Sequence, residues 1–403
     1  MSKNQTQNLR GQNLFTKLTR SDDSRKNNDT RKMTGNENPS KIAEAENPSK
    51  IVEADGSHSK STKKYRTIYN KCCMVAGEHM DNPWEYVRQD LWFLITHWWD
   101  VIKFLLDNSI FGIRFNNSKE TKGGCDELDI SELRNWSSMI FQLWCFFNTI
   151  TTILLYPIRE MQLAEEDCRE PLIHTEEHDG ERWFMLNGVM VNKNWLNENC
   201  KRLEHRFNKG VTGILNSSYG IIWDTAETIL MRSFDDESIP VRWASWNIFQ
   251  ALKDKNIKKV ILVAHSEGCV IANLVIKKLY WELSYSEKDA YEEDLLSKLE
   301  VYTFANIARE FINPKGLIKC IEHYANEEDL IAKMGVLHEV ENPRFHGKIF
   351  VNKNARGHLF NRYYSLNPEN YMYVKRPDAC LISDCEKGEN AQKPTFLYRS
   401  ASA

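Results

Sequence analysis

The chain has 403 residues, a formal net charge of −3 at pH 7 and 41% hydrophobic residues. This length accommodates one large domain or two smaller ones, and the charge balance excludes a strongly basic nucleic-acid-binding protein. Ten cysteines are scattered without a C-x-x-C pair. We therefore expect reduced thiols of an intracellular protein, and neither a disulfide framework nor a metal site built on cysteine.

Residues 1–62 are rich in Asn, Ser, Lys, Asp and Glu, and they contain almost no aromatic residues. Such a segment buries too little apolar surface to offset its conformational entropy, so we predict a disordered tail. A nine-residue tandem duplication spans residues 37–45 and 46–54. It is either a duplicated part of that tail or a short binding motif. The tail has no apolar signal-peptide core, which favours an intracellular protein, cytoplasmic or peripheral on an internal membrane.

Residues 80–160 are rich in tryptophan, and they begin with a helix start at Asp81-Asn82-Pro83. From Trp84 to Leu105, apolar residues recur at helical spacing and are interrupted by charged residues. This pattern predicts one amphipathic helix that does not span a membrane. Tryptophans in this arrangement favour contact with lipid or with a large protein surface.

A second segment, Trp136–Tyr156, has 21 residues without a charge. Its length suits a bilayer crossing, but one third of its residues are polar. A single transmembrane helix is one interpretation. A helix in the membrane interface, or one packed against the rest of the protein, is the favoured alternative. We therefore expect membrane-surface contact through residues 84–156.

From residue 180 to residue 376, strand and helix signals alternate, as in an α/β fold with a mostly parallel sheet flanked by helices. Helices are predicted at 194–207, 220–254 with a break, and 267–284. Residues 377–403 are predicted to form a loosely ordered tail. Strands are predicted at 183–186, 210–215, 259–264, 299–305, 318–324 and 345–351.

The most informative stretch joins the strand at 259–264 to a helix through Ala264-His265-Ser266-Glu267-Gly268. A serine between small residues on a sharp strand-to-helix turn is typical of a catalytic nucleophile. The free N–H groups of the helix start can stabilise developing negative charge. The alternative is a serine in an ordinary turn that begins a helix.

A nucleophilic serine needs a base and an acid that orients the base. Four histidines follow Ser266, and His358 is favoured because it stands in a polar loop after the last predicted strand. The other histidines, within or beside predicted strands and turns, are His323, His338 and His346. The favoured acid is Asp329, with Glu327 and Glu328 as alternatives in the same loop.

Residues 182–374 resemble the α/β-hydrolase superfamily of serine esterases and lipases, in particular fungal proteins with such a domain. One departure is Ala264, where a glycine is usual. The resemblance implies an oxyanion hole made by the backbone N–H of Glu267 and one from the loop with Gly188 and Val189. For Gly188, a tight turn after a strand is the alternative. The resemblance rests on residues 187–188, 219–222, 264–268, 301–306, 323–326 with Asp329, and 357–359.

The implied function is hydrolysis of a carboxylic ester, lipidic or otherwise bulky, through Ser266, Asp329 and His358 without cofactor or metal. The short connection from Asn306 to Ile318 leaves the tryptophan-rich helices as the expected cover of the site. One alternative is a catalytically silent hydrolase scaffold that acts as a membrane-associated binding protein. Another is a zinc site at His174–His178, which matches H-x-x-E-H, although a solvated linker is the favoured interpretation there.

Overall fold

The protein contains a mostly parallel sheet with helices on both faces. The computed structural model describes residues 82–108, 126–133, 135–144, 172–173, 180–218, 221–235, 238–285, 293–377 and 392–399. Within these residues the sheet has eight strands in the order β1-β3-β2-β4-β5-β6-β7-β8. The outer strands β1 and β8 pair antiparallel, and the six inner strands are parallel. The strands are β1 Leu172–Ile173, β2 Glu181–Leu186, β3 Val211–Ile214, β4 Lys259–His265, β5 Leu299–Phe304, β6 Cys320–Asn326, β7 Lys348–Asn352 and β8 Met372–Val374.

The described part of the chain contains eight α-helices, and they confirm the α/β class. They are α1 Pro83–Thr96, α2 Trp98–Asp107, α3 Lys193–Phe207, α4 Ile221–Phe234, α5 Ile239–Lys253, α6 Gly268–Tyr285, α7 Leu330–Met334 and α8 Phe360–Tyr363. Residues 135–144 are also helical. The predicted break within 220–254 is found between α4 and α5, where Ser238 precedes a helix with Pro240 in its first turn.

The central strand β4 is buried on both faces because helices cover both sides of the sheet. Its alternate residues Val260 and Leu262 face the core with α5 and α6, while Ile261 and Val263 face the core with α3. This double burial explains the unbroken apolar run that predicted the strand. The turn that follows β4 therefore stands on a rigid part of the molecule.

The single helix predicted from Trp84 to Leu105 is instead two helices that meet at His97. The hydroxyl of Thr96 donates to the carbonyl of Trp92 at 2.9 Å, and a ring nitrogen of His97 bonds the carbonyl of Phe93 at 3.0 Å. These local side-chain bonds compete for helical carbonyls and bend the chain. The predicted start is found, because Asn82 accepts from the backbone N–H of Trp84 and Pro83 follows.

Part of the tail predicted to be loosely ordered is packed against the sheet. Phe396 is fully buried, and its ring stacks on Tyr302 with 4.1 Å between centroids. The backbone N–H and hydroxyl of Thr395 donate to Glu322 at 2.9 and 2.7 Å. The prediction is thus wrong for residues 392–399. A single Phe-Leu pair in a polar stretch has no periodicity that would reveal it.

No helix among the described residues is long and apolar enough to cross a membrane. Residues 145–156 of the second apolar segment lie outside the described residues. The same holds for the tail at 1–62 with its duplication and for the motif at 174–178. Three buried cysteines of the described part, Cys200, Cys269 and Cys320, are free thiols.

Candidate active site

Ser266 occupies a sharp turn between β4 and α6, at the carboxyl end of a central strand. Its φ is +58°, a left-handed conformation that a non-glycine residue adopts at a cost of about 1–3 kcal/mol. The turn is held by the backbone N–H of Ser266, which donates to Phe304 at 2.9 Å. A glycine is needed at 268, because a Cβ there would lie 2.7 Å from the backbone oxygens of Leu186 and Asn187.

The structure places His358 and Asp329 in one hydrogen-bonded chain with Ser266. The Nε2 atom of His358 lies 2.9 Å from Ser266 Oγ, and Nδ1 lies 2.9 Å from Asp329 Oδ2. Because a carboxylate accepts, Nδ1 carries the proton and Nε2 is left to accept from the serine hydroxyl. All three residues are buried. This arrangement can deprotonate a serine as it attacks an electrophile.

Asp329 is oriented by its own loop and by a tyrosine. It begins helix α7, where its Oδ1 accepts from the backbone N–H of Ile331 at 2.9 Å. Its Oδ2 also accepts from the hydroxyl of Tyr364 at 2.7 Å. Burial and the neighbouring carboxylate raise the pKa of Tyr364 well above its ordinary value, so the hydroxyl keeps its proton and donates.

The alternative acids bond elsewhere. Glu327 accepts from the backbone N–H of Asn354, and Glu328 pairs with Lys333 at 2.8 Å.

The alternative histidines also lie in other contacts. His323 is buried within β6, where a ring nitrogen bonds the carbonyl of His346 at 2.8 Å, and burial lowers its pKa to about 3. His346 accepts from the backbone N–H of Asn313 at 2.8 Å. His338 lies exposed in the turn after α7.

Two residues that the sequence did not single out hold the backbone of His358. His265, the residue before the serine, donates its Nε2–H to the carbonyl of His358 at 2.8 Å. Burial lowers the pKa of His265 well below its ordinary value, so its ring is neutral. On the other side, Asn108 Oδ1 accepts from the backbone N–H of His358 at 3.1 Å. The position of His265 beside Ser266 could have suggested its role, whereas no local signal marks Asn108.

The loop with Gly188 and Val189 lies directly against the serine. A Cβ on Gly188 would come within 2.4 Å of Ser266 Cβ, so only glycine fits. The loop is fixed by Asn187, whose side chain donates to Asn216 at 2.9 Å and accepts from its N–H at 2.8 Å. Within the described part of the chain, the backbone N–H groups of Glu267 and Val189 donate no hydrogen bond.

The side chain of Glu267 points into the protein and not into the site. It is buried, and its Oε2 accepts from Asn216 at 2.6 Å. Burial raises the pKa of Glu267 well above its ordinary value, and the nearby carboxylates of Glu227 and Asp224 raise it further. Burial therefore disfavours a negative charge on this side chain next to Ser266.

No family model matches the chain, and no curated protein is significantly similar to it. The assignment of a function therefore rests on the residues and their geometry.

Helix α2 lies over the site from the side of the base. The rings of Phe104 and His358 are 5.3 Å apart between centroids, and Ser266 is only 2% exposed. Within the described residues, no group of three His, Cys, Asp or Glu side chains is arranged to hold a metal ion. What the site offers chemically is a serine, a base, an acid and backbone donors.

Proposed function

We propose that the protein is a serine hydrolase that cleaves a carboxylic ester. The observation that carries the proposal is the hydrogen-bonded chain from Ser266 Oγ through His358 to Asp329, behind a strained turn. In such a turn the strained backbone holds the serine hydroxyl at the end of the strand, where it can reach a substrate. Hydrogen-bonded side chains of these three types on three separate loops favour nucleophilic catalysis over a purely structural role.

The fold supports the same proposal. The serine follows central strand β4, the acid follows β6 and the base follows β7, so all three stand at the carboxyl edge of the parallel sheet. The chain order serine, acid, histidine is that of the α/β-hydrolase superfamily. The resemblance to that superfamily belongs to the proposal.

In the first half-reaction, Ser266 Oγ forms a bond to the ester carbonyl carbon, and His358 Nε2 takes its proton. The negative oxygen of the tetrahedral intermediate would accept from the N–H of Glu267 and from the loop of Gly188 and Val189. The carbon–oxygen bond to the alcohol then breaks, and Nε2 returns the proton to the leaving alcohol. Asp329 keeps the imidazole in its working tautomer throughout.

In the second half-reaction, water attacks the acyl-serine and gives one proton to His358. The bond to Ser266 Oγ breaks, the proton returns to this oxygen, and the carboxylic acid is released. Atoms and charges balance without a cofactor.

The test is the reaction of the full chain with a fluorophosphonate probe, in which serine oxygen bonds phosphorus and fluoride leaves. We expect wild-type protein to be labelled, the Ser266→Ala variant to be unlabelled, and Ser245→Ala to be labelled like wild type. Ser245 is a suitable control because it is equally buried but lies on α5. Well-folded wild-type protein that resists the probe, with and without lipid, would favour a catalytically silent scaffold.

We further propose that the ester is lipidic or bulky and is met at a membrane surface, so the protein is peripheral on an internal membrane. The support is an outward apolar face on the helices beside the site. Tryptophan rings favour the membrane–water interface because they combine a large apolar body with a polar N–H. The exposed large apolar residues are Trp84, Leu91, Trp92, Ile95, Trp98, Trp99, Ile102, Leu105 and Leu106 on α1 and α2, and Leu133, Trp136, Ile140, Leu143 and Trp144 in the segment 133–144.

Vesicle flotation tests this part. Trp92 and Trp98 are 64% and 60% exposed, and we expect the double variant Trp92→Ser and Trp98→Ser to lower the partition coefficient at least about tenfold, since binding scales with buried apolar area. Trp246→Ser is the matched control, because Trp246 is also exposed but lies on α5. Wild-type protein that stays in the aqueous fraction would contradict the proposed membrane association. Esters of graded chain length would then be screened in solution.

A further inference from the structure

The backbone that carries His358 is held by residues from the N-terminal helices. Asn108 follows α2, and its Oδ1 accepts from two successive backbone N–H groups, those of His358 at 3.1 Å and Leu359 at 3.3 Å. These two residues lie 250 and 251 positions further along the chain. One amide oxygen thus joins the helical region to the segment of the candidate base.

The orientation of the Asn108 amide is fixed at both ends. Its Nδ2 donates to the carbonyl of Phe104 at 2.8 Å, and the same carbonyl accepts the backbone N–H of Asn108 at 3.0 Å at the end of α2. Its Oδ1 therefore points toward His358. The side chain is buried, so water does not replace this acceptor at low cost.

His358 is consequently held from opposite sides of its own backbone. The helical region accepts its N–H through Asn108, and strand β4 donates to its carbonyl through His265 at 2.8 Å. The ring is then aimed by Asp329 and reaches Ser266 Oγ at 2.9 Å. Loss of the first contact leaves two buried N–H groups without an acceptor and frees the backbone to move.

We propose that Asn108 is a positioning residue for His358, so that the N-terminal helices form part of the active site and do more than cover it. This inference rests on the proposed serine hydrolase function. The next residues stay anchored without Asn108, because Glu127 accepts from the N–H of Asn361 at 2.6 Å and the hydroxyl of Tyr363 donates to Asp107 at 3.0 Å. A substitution at 108 should therefore act on the base and leave the fold intact.

Three variants test the proposal. Asn108→Leu removes the acceptor with little change in size, and Asn108→Asp retains an acceptor oxygen. Asn247→Leu is the matched control, because the Asn247 amide donates to a carbonyl four residues earlier at 2.8 Å, as Asn108 does, but lies on α5. The readout is the second-order rate constant of fluorophosphonate labelling against pH, with thermal melting in parallel.

We expect Asn108→Leu to lose about tenfold to a hundredfold in labelling rate, the effect of a misplaced catalytic group. Asn108→Asp should recover most of the rate at high pH. As the pH is lowered, Asn108→Asp should lose its labelling at a higher pH than the wild type does. The reason is that the new negative charge favours the charged imidazolium of His358, which also faces Asp329, His265 and Ser266. Asn247→Leu should label like wild type. Labelling of Asn108→Leu at the control rate would overturn the proposal.

A second readout separates this proposal from the proposed function. The proton shared by His358 Nδ1 and Asp329 should give a downfield proton NMR resonance, assigned by its absence in His358→Gln. We expect this resonance to be lost or broadened in Asn108→Leu and kept in Asn247→Leu, whether or not the wild-type protein reacts with the probe. An unchanged resonance in Asn108→Leu would show that Asn108 does not position the base. Unreactive wild-type protein with an altered resonance would contradict only the function.

Discussion

The sheet and the N-terminal helices contribute to the same site but are held in place by different forces. In β4, every residue from Val260 to His265 is buried, and the strand is fixed by apolar packing on both faces. In α1 the only buried residue is Asp90, and α2 has none. Most large apolar side chains of these two helices face outward, while Val87, Phe93 and Leu94 of α1 pack partly buried against the core. Buried polar groups, Asp90 in α1 and Asn108 after α2, add directional contacts to this partial apolar packing.

This difference shows how one fold can combine a rigid site with an apolar outer face. Apolar burial supplies most of the stability of the sheet, roughly 25 cal/mol per Å² of surface removed from water. Buried ion pairs and hydrogen bonds contribute less net stability, but they are directional and fix orientation. Asp90 and Asn108 can therefore orient the helices while the tryptophans stay available for another surface.

The largest expected effect comes from breaking the ionic attachment of α1. Asp90 contacts Arg309 and lies 3.6 Å from Nε of the buried Arg232. Asp90→Ala leaves buried positive charge unpaired, and we expect a loss of about 3–5 kcal/mol in the free energy of unfolding measured in urea. Asp100→Ala breaks the half-exposed pair with Lys103 and should cost under about 1 kcal/mol. Equal effects of the two variants would mean that Asp90 does not attach the helix.

A second attachment should make stability depend on pH. Burial raises the pKa of Glu127 to about 7. Since this pKa is raised, the folded protein binds the proton more tightly than the unfolded chain, so the stability that Glu127 contributes is greatest below about pH 4.5 and is lost as pH rises through 7. Between pH 5 and 8 this effect lowers the free energy of unfolding of the wild type by up to about 3 kcal/mol, and we expect Glu127→Gln to abolish that decrease.

The measurement for Glu127 is urea unfolding at both pH values. Glu132→Gln in the same segment is the control and should keep the wild-type slope. A wild-type slope in Glu127→Gln would show that this acid is ionised in the folded protein at pH 5.

The two regions also differ in how far the sequence predicted them. The strand at β4 was predicted because it is buried on both faces, and this produces an unbroken apolar run. Ser266, Asp329 and His358 were singled out because each follows a strand of that sheet, where the topology brings loop residues to one edge. The structure brings these three together and leaves Glu327, Glu328 and the other histidines in separate contacts.

The helical region was predicted less well because its contacts are polar and distant in sequence. Asn108 is one of many asparagines in the chain. No pattern in the residues around it indicates that it binds the backbone of His358, which lies 250 positions further along. Likewise, Phe396 carries no period that reveals its place beside Tyr302. The break at His97 depends on side-chain bonds of Thr96 and His97 that helical periodicity does not register.

On the sheet side, the sharpest change is a single methyl group at Gly188. Its Cβ would lie 2.4 Å from Ser266 Cβ, so Gly188→Ala must displace the serine or the loop. We expect the labelling rate of Ser266 to fall by about a hundredfold. Gly213 lies on the neighbouring strand β3, and Gly213→Ala brings a Cβ within 2.9 Å of Leu196 on α3, which should lower the melting temperature without this loss of rate. Equal labelling rates of the two variants would show that Gly188 does not affect the reactivity of Ser266.

The smallest expected effect concerns the acid. Tyr364→Phe removes one of the hydrogen bonds to Asp329, and a net value of about 1 kcal/mol predicts a loss of about fivefold in labelling rate. Tyr371→Phe is the matched control, since its buried hydroxyl donates to the carbonyl of Ser365 at 3.0 Å and not to Asp329. If both variants label like wild type, the bond from Ile331 is sufficient to aim Asp329. The sheet side would then position Asp329 without Tyr364, in contrast to the loss of rate expected on the helical side when Asn108 is replaced.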